Sequence, residues 1–407
     1  MDWADETQQE TFRSEVRGFI QERLPEYYRR RQERPAVGLE DNWEQDYVHG
    51  SDEAKAAATE WNEALSEKGW VAPHWPKEYG GAGMTTMEQF VYNQEMARAQ
   101  APQPGGSGLS LLGPTLLVHG TDEQKAEYLG PTLKSEMRWG QGFSEPGAGS
   151  DLAGLQARAT RDGDEWVING QKMWTSTAHK ANWIFGLFRT DPDAPKHRGI
   201  SFLIMDMKTP GISVRPIISM GWEHATNETF YEDVRIPAKN VVGEVNRGWY
   251  VAMTLLDFER SNISGAVAQR RNLTELVAYS HSEAGKAVVQ DRAKLVRDKV
   301  ADRWIESEVM FNFSFRIASM QAAGTIPNYE ASTSKIWGSE LSQRVSNTGM
   351  KAFGLYANLW DRDDARTPLD ARFTQEYVHS VVFSIFGGSN EIQRNIIATR
   401  GLGLPRS

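Results

Sequence analysis

Two short strings carry residue types that could hold a ligand. In Ser144-Glu145-Pro146-Gly147-Ala148-Gly149-Ser150-Asp151, Gly147 and Gly149 let the backbone approach a bulky planar group, while Ser144 and Ser150 supply hydroxyl donors. Asn169-Gly170-Gln171-Lys172-Met173-Trp174-Thr175-Ser176 ends on a broad indole face and a further hydroxyl. Either string alone is also what a glycine turn or a core tryptophan looks like. Other chemistries are poorly served. No segment has the full GxxxxGK[ST] phosphate loop, the first string lacks GxGxxG spacing, and no GxSxG elbow appears. The eight histidines show no ligand spacing such as HExxH. With no cysteine, disulfides, thiol nucleophiles and thiolate metal sites are excluded, so redox chemistry needs an organic cofactor or a metal held by other ligands. A net charge of −9 argues against nucleic acid as the main partner.

Three kinds of patterning must position these strings. Phe12, Val16, Phe19, Ile20 and Leu24 recur at helical steps between Glu6 and Gln32. A polar stretch from Pro35 to Ser51 follows, then helical patterning over Asp52 to Lys68 and around Met87 to Ala97. Thr121-Asp122-Glu123-Gln124 reads as a capping box. After Arg138 the period changes. Asp162-Gly163 and Asn169-Gly170 suit tight hairpin turns around Glu165-Trp166-Val167-Ile168, and strand-like runs follow at Ile200 to Met205, Ile212 to Ile217 and Glu228 to Ile236. From Tyr250 four stretches of helical spacing return, to about Ser280, from about Gln290 to Ala323, from about Glu330 to Phe353, and from Gln375 to Arg400. The chain of 407 residues is thus expected to be an α+β multidomain protein. It divides into an N-terminal helical domain over 1–138, a middle β-barrel or sandwich domain over 139–246, and a C-terminal four-helix bundle over 247–407. The acidic start Met1-Asp2-Trp3-Ala4-Asp5 lacks a signal's basic and apolar regions, and no window is apolar enough to span a bilayer, so a cytoplasmic place is expected.

Taken in order, these strings resemble the acyl-CoA dehydrogenase family. The match runs through Phe143 to Asp151, then Asn169 to Ser176, then Phe230-Tyr231-Glu232-Asp233-Val234-Arg235-Ile236-Pro237 with Asn240-Val241-Val242-Gly243, and ends on Gly387-Gly388-Ser389-Asn390-Glu391-Ile392-Gln393-Arg394-Asn395. Trp75-Pro76-Lys77-Glu78-Tyr79-Gly80-Gly81 fits the family's N-terminal domain. The resemblance implies FAD as cofactor, contacted by Phe143, Ser144, Gly149, Ser150, Trp174, Ser176, Ser389 and Glu391. It implies an acyl-CoA substrate near Ser150, Asp257, Arg260 and Gly388, with Arg198 as a possible partner of a coenzyme A phosphate or an ordinary surface arginine.

The reaction implied removes an α proton to a base and a β hydride to flavin, so a carboxylate must stand beside the substrate. Many family members place it immediately before the Gly-[ST] of the C-terminal string, where this chain has Gly387. Others, of the isovaleryl type, carry it early in the first C-terminal helix, and Glu259 in Asp257-Phe258-Glu259-Arg260 matches that position. The alternative for Glu259 is a solvated helix carboxylate paired with Arg260 or a lysine. Gly387 still offers the backbone N–H that the family uses on the thioester oxygen, and Glu391 is a rival carboxylate. Two family strings for the ADP half of a neighbour's FAD are eroded. His281-Ser282-Glu283-Ala284-Gly285 stands where Arg-x-x-Phe-Gly is expected, and between Met350 and Tyr356 only Gly354 remains of the paired glycines. The expected assembly is therefore a homotetramer, or an α2β2 complex with a related subunit that supplies those contacts. The expected electron acceptor is an electron-transfer flavoprotein. The rivals are an oxygen-using flavoprotein on the same scaffold and a non-catalytic acyl-CoA-binding subunit.

Overall fold

The computed structural model describes residues 7–34, 37, 42–257 and 263–405. The chain falls into two compact units that each draw on separated stretches: Asn42–Gly83 with Gln103–Glu259, and Met1–Asp41 with Met84–Pro102 and Arg260–Ser407.

The first unit is built on an eight-stranded mixed sheet. Its strands are β1 Trp139–Gly142, β2 Arg158–Asp162, β3 Glu165–Ser176, β4 Trp183–Arg189, β5 Ile200–Asp206, β6 Ile212–Ile217, β7 Thr226–Pro237 and β8 Val241–Val242. The order is β6-β7-β3-β2-β4-β5-β8, with β1 parallel to β4. Ile200 to Met205 is buried at every position, which explains why the run is apolar apart from Ser201. β3 instead alternates, turning Trp166 and Ile168 into the core beside Ile184, Phe188, Leu203 and Tyr231.

Asp162-Gly163 makes the expected hairpin turn between β2 and β3. Asn169-Gly170 does not. It lies inside β3 at a register shift, where Gly170 has φ +144° and a Cβ would fall 2.6 Å from that of Ala157. The Asn169 amide accepts from Asp233 N and donates to Asp233 Oδ1, each at 2.9 Å, so the pair braces a bulge.

Helices Trp43–His49, Asp52–Glu67, Gly113–His119, Asp122–Leu133 and Gly248–Asp257 complete this unit. Trp43–His49 lies in the polar stretch from Pro35 to Ser51, and Asn42 caps it by accepting from Gln45 N. The Thr121 capping box forms as expected. Its Gln124 also donates to the carbonyls of Lys239 and Val241, clamping β8.

The second unit is helical, with Ile263–His281, Ala293–Ala322 and Tyr329–Phe353 as its long members. Ile263, Leu273, Val296, Met310, Leu341, Val345, Phe353 and Phe373 form its core together with Phe90 of Thr86–Arg98. Two expected helices are interrupted. Pro25, at ψ 147°, separates Thr7–Arg23 from Glu26–Arg31 because its ring cannot continue a helix. The stretch from Gln375 to Arg400 contains Arg372–His379 and Asn390–Ile396, parted by a 3-10 turn and by Gly387 and Gly388, both in the left-handed region. Among the described residues no helix is long and apolar enough to cross a membrane.

Candidate cofactor cradle

The Gly-rich loop leaves β1 at Gly142 and closes at once on itself. Glu145 N donates to Ala148 O and Ala148 N to Glu145 O, each at 3.0 Å, so Pro146 and Gly147 form the tip of a tight turn. The Glu145 side chain points inward and is 7% exposed. Its carboxylate accepts from Gln156 N at 2.6 Å, Ala157 N at 2.9 Å and Lys172 Nζ at 2.7 Å. Lys172 is fully buried, also donates to Phe143 O at 3.3 Å, and holds its ammonium 4.9 Å from the centre of the Phe188 ring. Burial pulls the Lys172 pKa down to about 8, with the Glu145 carboxylate acting the other way. Met173 N donates to Ser144 O at 2.8 Å. The two strings singled out in the sequence are thus joined by one buried ion pair and one backbone bond.

Beyond Lys172 the strand bulges. The β3–β7 register shifts between Lys172 and Thr175, and Trp174 takes φ +62°, a conformation that costs a non-glycine residue about 1–2 kcal/mol. Its indole is 56% exposed, and Ser176 is exposed too, whereas Thr175 between them is fully buried. Ser144 is half-buried, while Gly149 and Ser150 are exposed. A Cβ on Gly147 or Gly149 would meet nothing within 4 Å, so both leave open space. Phe143 sends its ring into the core against Phe185 and Phe202, leaving its backbone for any contact outside.

Arg198 is exposed in the turn from Pro195, and its carbonyl accepts from Arg189 Nη1. In the same turn Lys196 reaches back to Asp151 at 2.6 Å, tying this turn to the Gly-rich loop. Helix Gly248–Asp257 starts against β5, where a Cβ on Gly248 would fall 2.3 Å from Phe202 N, and it buries Val251, Ala252 and Leu255. Its Thr254 hydroxyl meets His119 Nε2 at 2.9 Å. Asp257 is its last residue, and Glu259 and Arg260 lie outside the described residues.

In the helical unit, Gly387 and Gly388 are exposed, and their carbonyls accept from Gln393 Nε2. Ser389 caps the helix Asn390–Ile396, and buried Asn390 accepts from Lys335 Nζ at 3.0 Å and Ser339 Oγ at 3.1 Å. The exposed Glu391 carboxyl is held below the usual carboxylate range by its own backbone N–H and by the Ser389 hydroxyl. At the two eroded strings, Ser282 caps a helix through Gly285 N, and the Arg292 guanidinium donates to Ala352 O beside left-handed Gly354.

Three domain profiles match the chain in order: Acyl-CoA dehydrogenase, N-terminal domain over residues 6–136, middle domain over 140–234, and C-terminal domain over 246–402. The chain belongs to the acyl-CoA dehydrogenase family. Acyl-CoA dehydrogenase IpdE1 of Mycobacterium tuberculosis (strain ATCC 25618 / H37Rv) is 35% identical over 98% of this chain and 98% of its own. Acyl-CoA dehydrogenase FadE29 of the same strain is 36% identical over 84% of this chain and 87% of its own. The solved structure of the Tcur3481-Tcur3483 steroid ACAD superimposes with a TM-score of 0.84 at 33% identity, covering 100% of both chains. The ChsE4-ChsE5 complex from Mycobacterium tuberculosis gives 0.81 at 32%, again over 100% of both.

Members of this acyl-CoA dehydrogenase family are flavoproteins, and the cradle suits a flavin. It offers an exposed indole, hydroxyls at Ser144, Ser150 and Ser176, and two glycines without obstructing neighbours. Sequence reasoning missed the pair that organises it. Lys172 shares its parity along β3 with the inward Trp166 and Ile168, which was the available signal that its side chain turns into the core. Asn227, fully buried beneath the bulge, shares its parity along β7 with the inward Thr229 and Tyr231, but only the β3–β7 register places it opposite Thr175.

Proposed function

We propose that this chain oxidises an acyl-CoA thioester to the α,β-unsaturated product, with FAD against the Ser144 to Ser150 loop and the Trp174 to Ser176 strand end. The observation that carries the reading is the buried Glu145–Lys172 pair, which draws those two strings together. FAD, when bound, supplies the hydride acceptor. The chain's own part is to hold that cofactor, to remove the α proton with Glu259, and to offer the Gly387 N–H to the thioester oxygen. Glu391 is a poor rival base, since its hydrogen bonds favour the charged form and weaken its proton affinity. The names of the similar structures, one a steroid ACAD and one a complex of two chains, support a bulky ring-bearing acyl group and assembly with a related subunit. The three profile matches support 1–138, 139–246 and 247–407 as the functional segments; in this reading the electron acceptor is an electron-transfer flavoprotein.

The test is anaerobic titration of FAD-loaded protein with straight, branched, dicarboxylic and steroid acyl-CoAs, following flavin absorbance in wild type and Glu259→Gln. Bleaching by steroid thioesters in the wild type alone is expected. Bleaching that persists in the variant removes Glu259 from the role of base. A second reading, a silent subunit in a hetero-oligomer, is favoured by the missing carboxylate at Gly387, and wild-type protein that holds flavin without bleaching would establish it.

A further inference from the structure

Beneath the Trp174 bulge, one buried amide uses both its N–H donors and its oxygen. Asn227 is fully buried and pairs with Thr175 where β3 and β7 regain register. Its Nδ2 donates to Thr175 O at 3.1 Å and lies 3.1 Å from His179 Nδ1, while its Oδ1 lies 2.7 Å from His224 Nε2. An amide nitrogen has two hydrogens and no acceptor, so this wiring assigns both tautomers. His179 must present a bare Nδ1, and His224 must carry its proton on Nε2. The two imidazoles stack with centres 3.8 Å apart, and His49 stacks beyond His179 at 6.4 Å. The bulge is closed from its other end as well, since Thr177 N donates to Ala225 O at 3.0 Å.

Residue 175 cannot shift without moving its neighbours. Trp174 is in a left-handed conformation that its own side chain disfavours, so something outside the local backbone must hold it. The Thr175 carbonyl is the atom gripped. Thr175 Oγ1 faces Thr229 Oγ1 at 3.5 Å, a long contact beside the 3.1 Å amide bond.

We propose that Asn227 is a positioning residue for the flavin cradle: by holding the Thr175 carbonyl against a neutral His179, it fixes the bulge that presents Trp174 and Ser176. This rests on the reading of those residues as the flavin platform. Burial keeps His179 neutral, pulling its pKa down to about 4, and His224, Lys180 and His49 also oppose a proton there. The helix carrying His49 also brings half-buried Glu44, whose carboxyl faces Lys180, Arg138 and the Thr177 hydroxyl.

The experiment measures FAD affinity of the full-length apoprotein by flavin fluorescence, from about pH 5.5 to about pH 8.5, where an ordinary histidine titrates. Wild type is compared with Asn227→Leu and Asn227→Asp, and each apoprotein's thermal midpoint is recorded. Wild-type affinity is expected to stay nearly flat across the range. Asn227→Leu should bind about tenfold or more weakly at every pH, because the Thr175 carbonyl loses the amide that grips it. Asn227→Asp should match that loss near the alkaline end, where a carboxylate can donate to neither Thr175 O nor His179. It should recover towards the acid end, because burial raises the pKa of the introduced carboxyl and its protonated O–H can then donate to Thr175 O. Recovery with acid also shows that the variant is folded. Equal, pH-independent losses in both variants would make Asn227 a packing residue and overturn the proposal, as would wild-type affinity in either. Wild type that fails to bind FAD sinks the flavin reading and this inference together.

Discussion

At Glu145 and Lys172 the chain buries two opposite charges, surrounds them with backbone donors and acceptors, and uses them to hold two distant strings together. From Gly387 to Glu391 it does the reverse: the glycines are exposed, and the charge at Glu391 is satisfied by its own turn. The cradle is shaped by long-range contacts within its unit, so its geometry is preorganised and costly to disturb. The C-terminal glycines are shaped by backbone conformation and a helix cap, so that segment is cheap to alter. A binding surface of the first kind keeps its form before any ligand arrives.

The largest effect is expected from breaking the cradle pair. Lys172→Met leaves the Glu145 carboxylate buried without its cation and should cost about 3–5 kcal/mol in urea unfolding. Adding Glu145→Gln removes the stranded charge and should return most of that stability, so a double variant as weak as the single would contradict the ion-pair account. A smaller cost comes from the cradle's bulge glycine. Gly170→Ala meets both a φ of +144° and the Ala157 side chain 2.6 Å away, and should lose about 2–4 kcal/mol. Gly387→Ala is the matched control from the other region, since its Cβ would meet nothing within 4 Å and only φ +63° opposes it. A loss of about 1 kcal/mol is expected, and equal losses for the two alanines would erase the contrast.

The smallest effect concerns pH. His179 has its folded pKa lowered from 6.5 to about 4, so the native state resists protonation. The stability this contributes is present above pH 6.5 and drains away as pH falls from there towards about 4. Because the ring is partly solvated, the loss should be on the order of 1 kcal/mol. Unfolding of wild type and His179→Gln across that window checks it, and parallel curves would show that no such linkage exists.

Local signals were legible where one residue could satisfy another a few positions away. The Thr121 box and the Asp162-Gly163 turn are of this kind, and each formed where the sequence placed it. The two strings of the cradle were legible by resemblance. Asn169-Gly170 was misread because its glycine answers to Ala157, just before β2, and not to the turn its dipeptide imitates. Periodicity over Gln375 to Arg400 likewise ran across two glycines that take left-handed φ. Prolines and glycines inside a periodic stretch carried the warning, at Pro25 as well as at Gly387.

By itself the sequence determined the alternation of helical and β regions, the family, and the absence of thiol chemistry, because each depends on residue type and short spacing. Only the tertiary structure decided that Glu145 faces Lys172, that Asn227 grips Thr175, and that residues 42–83 group with the sheet while 84–102 group with the C-terminal helices. Those outcomes turn on which buried polar group finds a partner, and a partner 27 or 52 residues away is chosen by strand register and packing, which no local pattern encodes.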